Sequence, residues 1–136
     1  MTLNKDTMSN TVADIMNPKL LYIRAGDRVS LARRQIVEFG VTAVPVLDDT
    51  HRPIGVVSLR DLAGAEGDRF EPSGHVETVK STATITDGAK QLAETGYHHL
   101  VVVDDKGVAV GMVSALDFIR AMLGLAPRHP EAFDRF

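Results

Sequence analysis

Gly55-Val-Val-Ser58-Leu-Arg-Asp61 recurs as Gly111-Met-Val-Ser114-Ala-Leu-Asp117, 56 residues further along the chain. The same offset pairs Glu38 with Glu94, Gly40 with Gly96, and Asp48-Asp49 with Asp104-Asp105. A single Gly-x-x-Ser-x-x-Asp arises readily by chance. Two copies at one register, with no gap needed between Lys19 and Ile119, mark an internal repeat, and a repeat decides architecture before any single element does.

Working outward, each copy reads as strand, helix, strand, strand, helix. In the first, Thr11 to Met16 forms one helical turn, stopped by Asn17-Pro18. Leu20 to Ile23 has strand length. Asp27 is placed to cap a helix through Glu38, with Ala32, Ile36 and Phe39 on one face and Gly40 as its stop. Val41 to Leu47 and Ile54 to Val57 form an antiparallel hairpin, and Ser58 opens a short helix from Leu59 to about Ala63.

The second copy runs from a strand at His75 to Val79 to a helix at Thr84 to Thr95, with Ala89, Leu92 and Ala93 inward. A strand at Tyr97 to Val103 and a return strand at Val108 to Val113 follow. Ser114 then opens a helix to about Leu123. The expected division is a flexible start at 1–10, repeat one at 11–64, a linker at 65–74, repeat two at 75–123 and a tail at 124–136. A unit of about fifty residues buries little of its own surface, so the two share one module. The expected fold is mixed α/β (α+β), two tandem β-α-β-β-α repeats packed with pseudo-twofold symmetry.

Composition narrows the function classes. With 136 residues, 44% hydrophobic and 24% charged, the chain is of soluble, single-module type. A net charge of −3 gives no basic footprint for nucleic acid. Cysteine is absent, which removes disulfides, thiolate catalysis and Cys-based zinc sites. No apolar run nears the roughly 18 residues of a membrane span, and Met1 to Asn10 lacks the apolar core of a secretory signal. A cytoplasmic protein without membrane or nucleic-acid partners is expected.

The order of elements, with Asp14-Ile15-Met16 before the first strand, Val44-Pro45-Val46-Leu47-Asp48 in the middle and Gly-x-x-Ser-x-x-Asp at each last helix, resembles the CBS-domain family. The resemblance covers about Val12 to Leu123. The second repeat departs from it twice: it has Gly64 to Gly74 in place of the Asp-Ile-Met lead-in, and Leu100-Val101-Val102 where the first has Val44-Pro45-Val46. The resemblance implies a CBS-domain pair with two clefts that take adenosine-containing ligands: AMP, ADP, ATP or S-adenosylmethionine. It also implies that adenine meets the backbone near Thr42, Ala43 and Val44 in one cleft, and near His98, His99 and Leu100 in the other.

The motif has a chemistry of its own. Gly55 and Gly111 leave backbone bare where a ligand approaches closely. Ser58 and Ser114 sit where a strand yields to a helix whose first N–H groups suit an anion. Asp61 and Asp117 lie one turn on, as carboxylate acceptors for two vicinal ribose hydroxyls. Against this, Ser-x-x-Asp at a helix start is also a capping box, and the two roles are compatible. Arg24 and Lys80 are repeat partners at the ends of the first strands; each either reaches a phosphate or is a solvated surface charge. His98 and His99, adjacent on a strand, point to opposite faces and do not jointly hold a metal.

No nucleophile with a paired base, zinc motif or Walker loop is present, so no enzyme and no catalytic cofactor are expected. The reading is a stand-alone regulatory module that binds an adenosine nucleotide or S-adenosylmethionine and acts in trans on a separate regulated protein. The alternative keeps the fold but drops the ligand, as a dimerisation or scaffolding unit. A homodimer is expected because Phe118, Met122, Ile119 and Leu123 form two apolar stripes on the last helix, more than one core requires.

Overall fold

The computed structural model describes residues 10–39, 41, 43–58 and 76–129. Gly40, Thr42, Asp61, the helix expected at Leu59 to Ala63, the linker, the strand start at His75, and the tail residues Phe133 and Phe136 lie outside them. So does the start of the chain before Asn10.

The elements are α1 (Val12–Ile15), β1 (Ile23–Arg24), α2 (Val29–Phe39), β2 (Ala43–Leu47), β3 (Pro53–Ser58), β4 (Thr78–Lys80), α3 (Ile85–Thr95), β5 (His99–Val103), β6 (Ala109–Ser114) and α4 (Ala115–Met122). They build two three-stranded sheets, β1-β2-β3 and β4-β5-β6. In each sheet the outer first strand runs parallel to the middle strand, and the hairpin partner runs antiparallel.

The repeat holds at the level of single pairs. Ile23 faces Val46 as Val79 faces Val102, and Ala43 faces Ser58 as His99 faces Ser114. Both hairpins carry a register shift at the same place, after Val46 and after Val102. The hairpin turns match as well. Asp48 Oδ1 accepts from the N–H groups of Thr50 (2.8 Å) and Arg52 (3.0 Å), and Asp104 Oδ1 from those of Lys106 (2.8 Å) and Val108 (3.0 Å). The left-handed position in each turn is His51 (φ 64°) in one and Gly107 (φ 83°) in the other. Glutamines at matching positions tie helix to strand, Gln35 Nε2 to the Tyr22 carbonyl and Gln91 Nε2 to that of Thr78.

By contacts, residues 21–58, 76 and 129 form one unit, and residues 10–20 with 77–128 the other. The lead-in α1, expected in the first repeat, therefore packs with the second. Val12 and Ile15 enter the core of the second-repeat unit beside Ile85, Leu100, Val113 and Phe118. Val12 N–H donates to the Ala83 carbonyl (2.9 Å) and Ala13 N–H to that of Ser81 (3.0 Å). The first-repeat core gathers Ile23, Val29, Ala32, Ile36, Val44, Val46 and Val57. Burial of such aliphatic side chains, about 1.5–3 kcal/mol each, is the main force holding either unit.

Four local expectations need correction. The strand expected at Leu20 to Ile23 is only Ile23–Arg24, one residue shorter than β4. In the second unit Val101 N–H donates to the Glu77 carbonyl and extends the parallel pairing; at the matching position Pro45 has no N–H to give. Asp27 does not cap α2; its Oδ2 accepts from Arg24 N–H at 2.7 Å and closes a turn ahead of the helix. On α3 the buried face is Ile85, Gly88 and Leu92, while Ala93 is exposed. Phe118, read as interface, is in the core at 3% exposure, on the same side of α4 as Ala121.

Candidate functional site

The two Gly-x-x-Ser-x-x-Asp stretches lie where β3 ends and where β6 passes into α4. The second is described throughout. Ser114 closes β6 in extended conformation and caps α4. Its N–H donates to Asp117 Oδ2 at 2.8 Å, and its Oγ accepts from Asp117 N–H at 3.2 Å. The capping box is thus real. Asp117 is nonetheless 8% exposed, the one buried charged residue among those described. A buried carboxylate is costly unless hydrogen-bonded, and the box supplies part of that bonding.

The edge of this junction is made by the start of β5. His99 stands in register with Ser114, and the His98 carbonyl accepts from Ala115 N–H at 3.0 Å. His98 precedes the strand and is exposed, whereas His99 is half-buried. Burial holds the His99 imidazole below its usual 6.5, the neighbouring His98 pushes it the same way, and the Asp117 carboxylate pulls it back in part. Leu100 beyond it is fully buried and pairs with Val113.

Two expectations about this junction change. The first N–H groups of α4 were read as open to an anion, but those of Ala115 and Asp117 are already committed within the chain. Gly111 was read as bare backbone facing a ligand. A Cβ there would lie 2.7 Å from both the Asn17 carbonyl oxygen and Met16 Sδ. Its missing side chain makes room for the chain's own lead-in, which bonds Met112 twice through Asn17 N–H (2.8 Å) and the Asn17 carbonyl (3.1 Å). In the sequence Met16 and Asn17 were read as the lead-in motif and a helix stop, not as partners of Gly111 and Met112. The signal available was that the second repeat has no Asp-Ile-Met of its own.

In the first-repeat unit, Ala43 pairs with Ser58 and Val44 with Val57, matching His99 and Leu100. Gly55 is buried opposite Val46, and Val44 is buried in the core. Thr42 and Asp61 fall outside the described residues. Arg24 is exposed, and Lys80, 63% exposed, lies 3.9 Å from Asp105, so Lys80 has a surface ion-pair partner rather than a built anion site. Among the described residues no group of His, Cys, Asp and Glu is arranged to hold a metal ion, and no helix is long and apolar enough to cross a membrane.

Comparison with known proteins agrees with this architecture. A 17.7 kDa uncharacterised protein of Acidianus ambivalens is 24% identical over 123 residues, covering 85% of this chain and 75% of that one. The chloroplastic CBS domain-containing protein CBSX2 of Arabidopsis thaliana is 28% identical over 153 residues, covering 83% of this chain; the chain spans 63% of CBSX2's length. The crystal structure of CBSX2 in complex with AMP superposes with a TM-score of 0.75 at 29% identity, over 85% of this chain and 97% of that one. The cytosolic domain of the Mg2+ channel MgtE in complex with ATP gives 0.72 at 26% identity, over 82% and 48%. The family model for the CBS domain matches twice, over residues 12–68 and 71–124, and the chain belongs to the CBS-domain family as a tandem pair.

Proposed function

We propose that the chain is a regulatory module that binds an adenosine-containing ligand at its Gly-x-x-Ser-x-x-Asp junctions, without turnover, and acts in trans on a separate protein. The observation that carries this reading is Asp117, a carboxylate withdrawn from water at the mouth of a helix, whose Oδ2 accepts from Ser114 N–H. A cap alone is served by an exposed side chain; a buried carboxylate suits the two hydroxyls of a ribose. The relatives crystallised with AMP and with ATP support the same class of ligand. With Gly111 filled by the lead-in and two α4 N–H groups committed, the roles fall on Ser114, Asp117 and the β5 start at His98 to Leu100. By the repeat, Thr42 to Val44, Ser58 and Asp61 take the same roles in the other copy.

Thermal shift against AMP, ADP, ATP and S-adenosylmethionine tests it. At about a hundred times its dissociation constant a ligand adds about 2.7 kcal/mol. A melting curve unmoved by all four at millimolar concentration leaves a scaffold instead.

A second reading rests on a different surface. Leu116, Ile119, Met122 and Leu123 on α4 are 61, 51, 41 and 47% exposed. An apolar helix face of this kind suits pairing with a second copy of the chain, with or without ligand.

A further inference from the structure

We infer that the second-repeat site is a pH-responsive one, binding adenosine ligands with His99 neutral and losing affinity as that imidazole is protonated, while the first-repeat site has no such dependence. This rests on the proposed function and adds a regulatory property to it. The ground is a difference between two otherwise matched junctions. At the position opposite the motif serine, the second repeat has His99 where the first has Ala43, and His98 stands where the first has Thr42. The hairpin pairing and its bulge are otherwise the same, and the parallel pairing runs one residue further in the second repeat.

His99 is half-buried, one register pair from Ser114, and close enough to Asp117 for that carboxylate to act on it. The groups around it are His98 beside it, Asp117 from α4, Ser114 from β6, and Glu77 just ahead of β4, whose carbonyl accepts from Val101 N–H; Lys80 lies further off, paired with Val103. Its surroundings already favour the neutral ring, through burial first and His98 second. A nucleoside placed over the junction removes more water from His99 and raises the cost of a charge there. A protonated ring also draws on the Asp117 carboxylate that the ribose hydroxyls need. Both effects have one sign: ligand binding releases a proton, and affinity falls on acidification. Below the folded pKa of His99 the fall approaches about tenfold per pH unit.

Adenosine is the probe, because it carries no titrating phosphate in this range. Its binding is measured by calorimetry between pH 7.5 and pH 5.0, and the histidine ring signals are followed by NMR across the same range. The expected result is a second-repeat affinity that falls several-fold or more, together with a His99 titration that moves to lower pH when adenosine is added. His99→Ala, which copies the first repeat, should lose the pH dependence whatever its affinity at neutral pH. Adenosine binding with an unmoved His99 titration overturns the inference and leaves the proposed function standing. No binding of adenosine or of any adenosine nucleotide at any pH removes both.

Discussion

Gly88 on α3 lies against the tip of the Phe118 ring on α4: a Cβ at Gly88 would sit 2.8 Å from Phe118 Cζ and 3.1 Å from Val12 Cγ2. The glycine is there because the phenylalanine is. In the sequence of the first repeat the same two positions are Ala32 and Leu62, a larger residue for the glycine and a smaller one for the phenylalanine. Gly88→Ala should therefore destabilise the protein. The usual gain of about 0.5–1 kcal/mol for alanine in a helix is outweighed by overpacking of about 1–3 kcal/mol. A net loss near 1 kcal/mol is expected in chemical denaturation. Adding Phe118→Leu should recover part of it, a coupling visible in a double-mutant cycle. Additive losses would remove the packing explanation.

Gly111→Ala should be the more damaging glycine replacement. Two atoms lie equally near the added methyl; Met16 Sδ can move, but the Asn17 backbone oxygen has no rotamer to retreat into. Relief requires lifting the lead-in off β6, at the loss of the two Asn17–Met112 bonds and part of the Val12 and Ile15 burial, about 2 kcal/mol or more. Hydrogen exchange at Val12, Ala13 and Asn17 amides should accelerate. Protection equal to the wild type at those three would show that the lead-in tolerates the methyl.

Asp117→Ala separates cap from ligand. Loss of the capping partner should lower stability by about 1 kcal/mol. Loss of a charged acceptor for ribose should weaken adenosine-ligand binding at that copy by about ten- to a hundredfold. Calorimetry with an unchanged affinity, beside the lowered stability, would leave the carboxylate as a cap alone.

The 56-residue offset made most of this fold legible. Two units of like element order, an antiparallel hairpin in each, and both Asp-centred turns follow from it; on α2, Ala32 and Ile36 are inside as read, while Val29 rather than Phe39 completes the buried face. Where the reading strayed, it had set the repeat aside in favour of local pattern. Carrying the buried Val29, Ala32 and Ile36 across the offset gives Ile85, Gly88 and Leu92, the true α3 face; reading α3 by itself chose Ala93. Phe118 was misplaced for a related reason. Apart from Asp117 and Arg120, α4 is apolar on every side, so helical spacing alone does not separate Phe118 from Ile119 and Met122, whereas Gly88 opposite Phe118 does. The docking of α1 on the second unit had one mark in the sequence, the missing Asp-Ile-Met ahead of the second repeat; the four-residue turn itself does not say which core receives it.

Among the described carboxylates, Asp48 contributes to acid stability. Hydrogen bonds from the Thr50 hydroxyl first, then from the Arg52 backbone, hold Asp48 below its ordinary 3.8. A depressed folded value means that the contribution is present above pH 3.8 and is lost as pH falls from there through the folded pKa. Asp48→Asn, which keeps an acceptor but no charge, should melt below the wild type at neutral pH, with the gap closing under pH 3.8. A gap that stays constant down to pH 2 would show that ionisation of this carboxylate contributes nothing to the turn.

For self-association, Ile119→Asp and Phe118→Asp should part company. Ile119 is half exposed, so its replacement should give a folded monomer by light scattering with an unchanged circular dichroism spectrum. Phe118 is in the core, so its replacement should unfold the second-repeat unit, whatever the oligomeric state. A wild-type monomer at tens of micromolar, with or without nucleotide, rules the dimer out.

The placement of α1 also sets an order of events during synthesis. Val12 leaves the ribosome early, yet the Ala83 carbonyl that receives its N–H is made about 70 residues later. At roughly 5–20 residues per second the nascent lead-in waits on the order of several seconds with Val12 and Ile15 unsheltered. The first-repeat sheet, whose strands are neighbours in sequence, can form within that interval. The second-repeat core closes after it, when Val12 and Ile15 meet a segment made about 70 residues later.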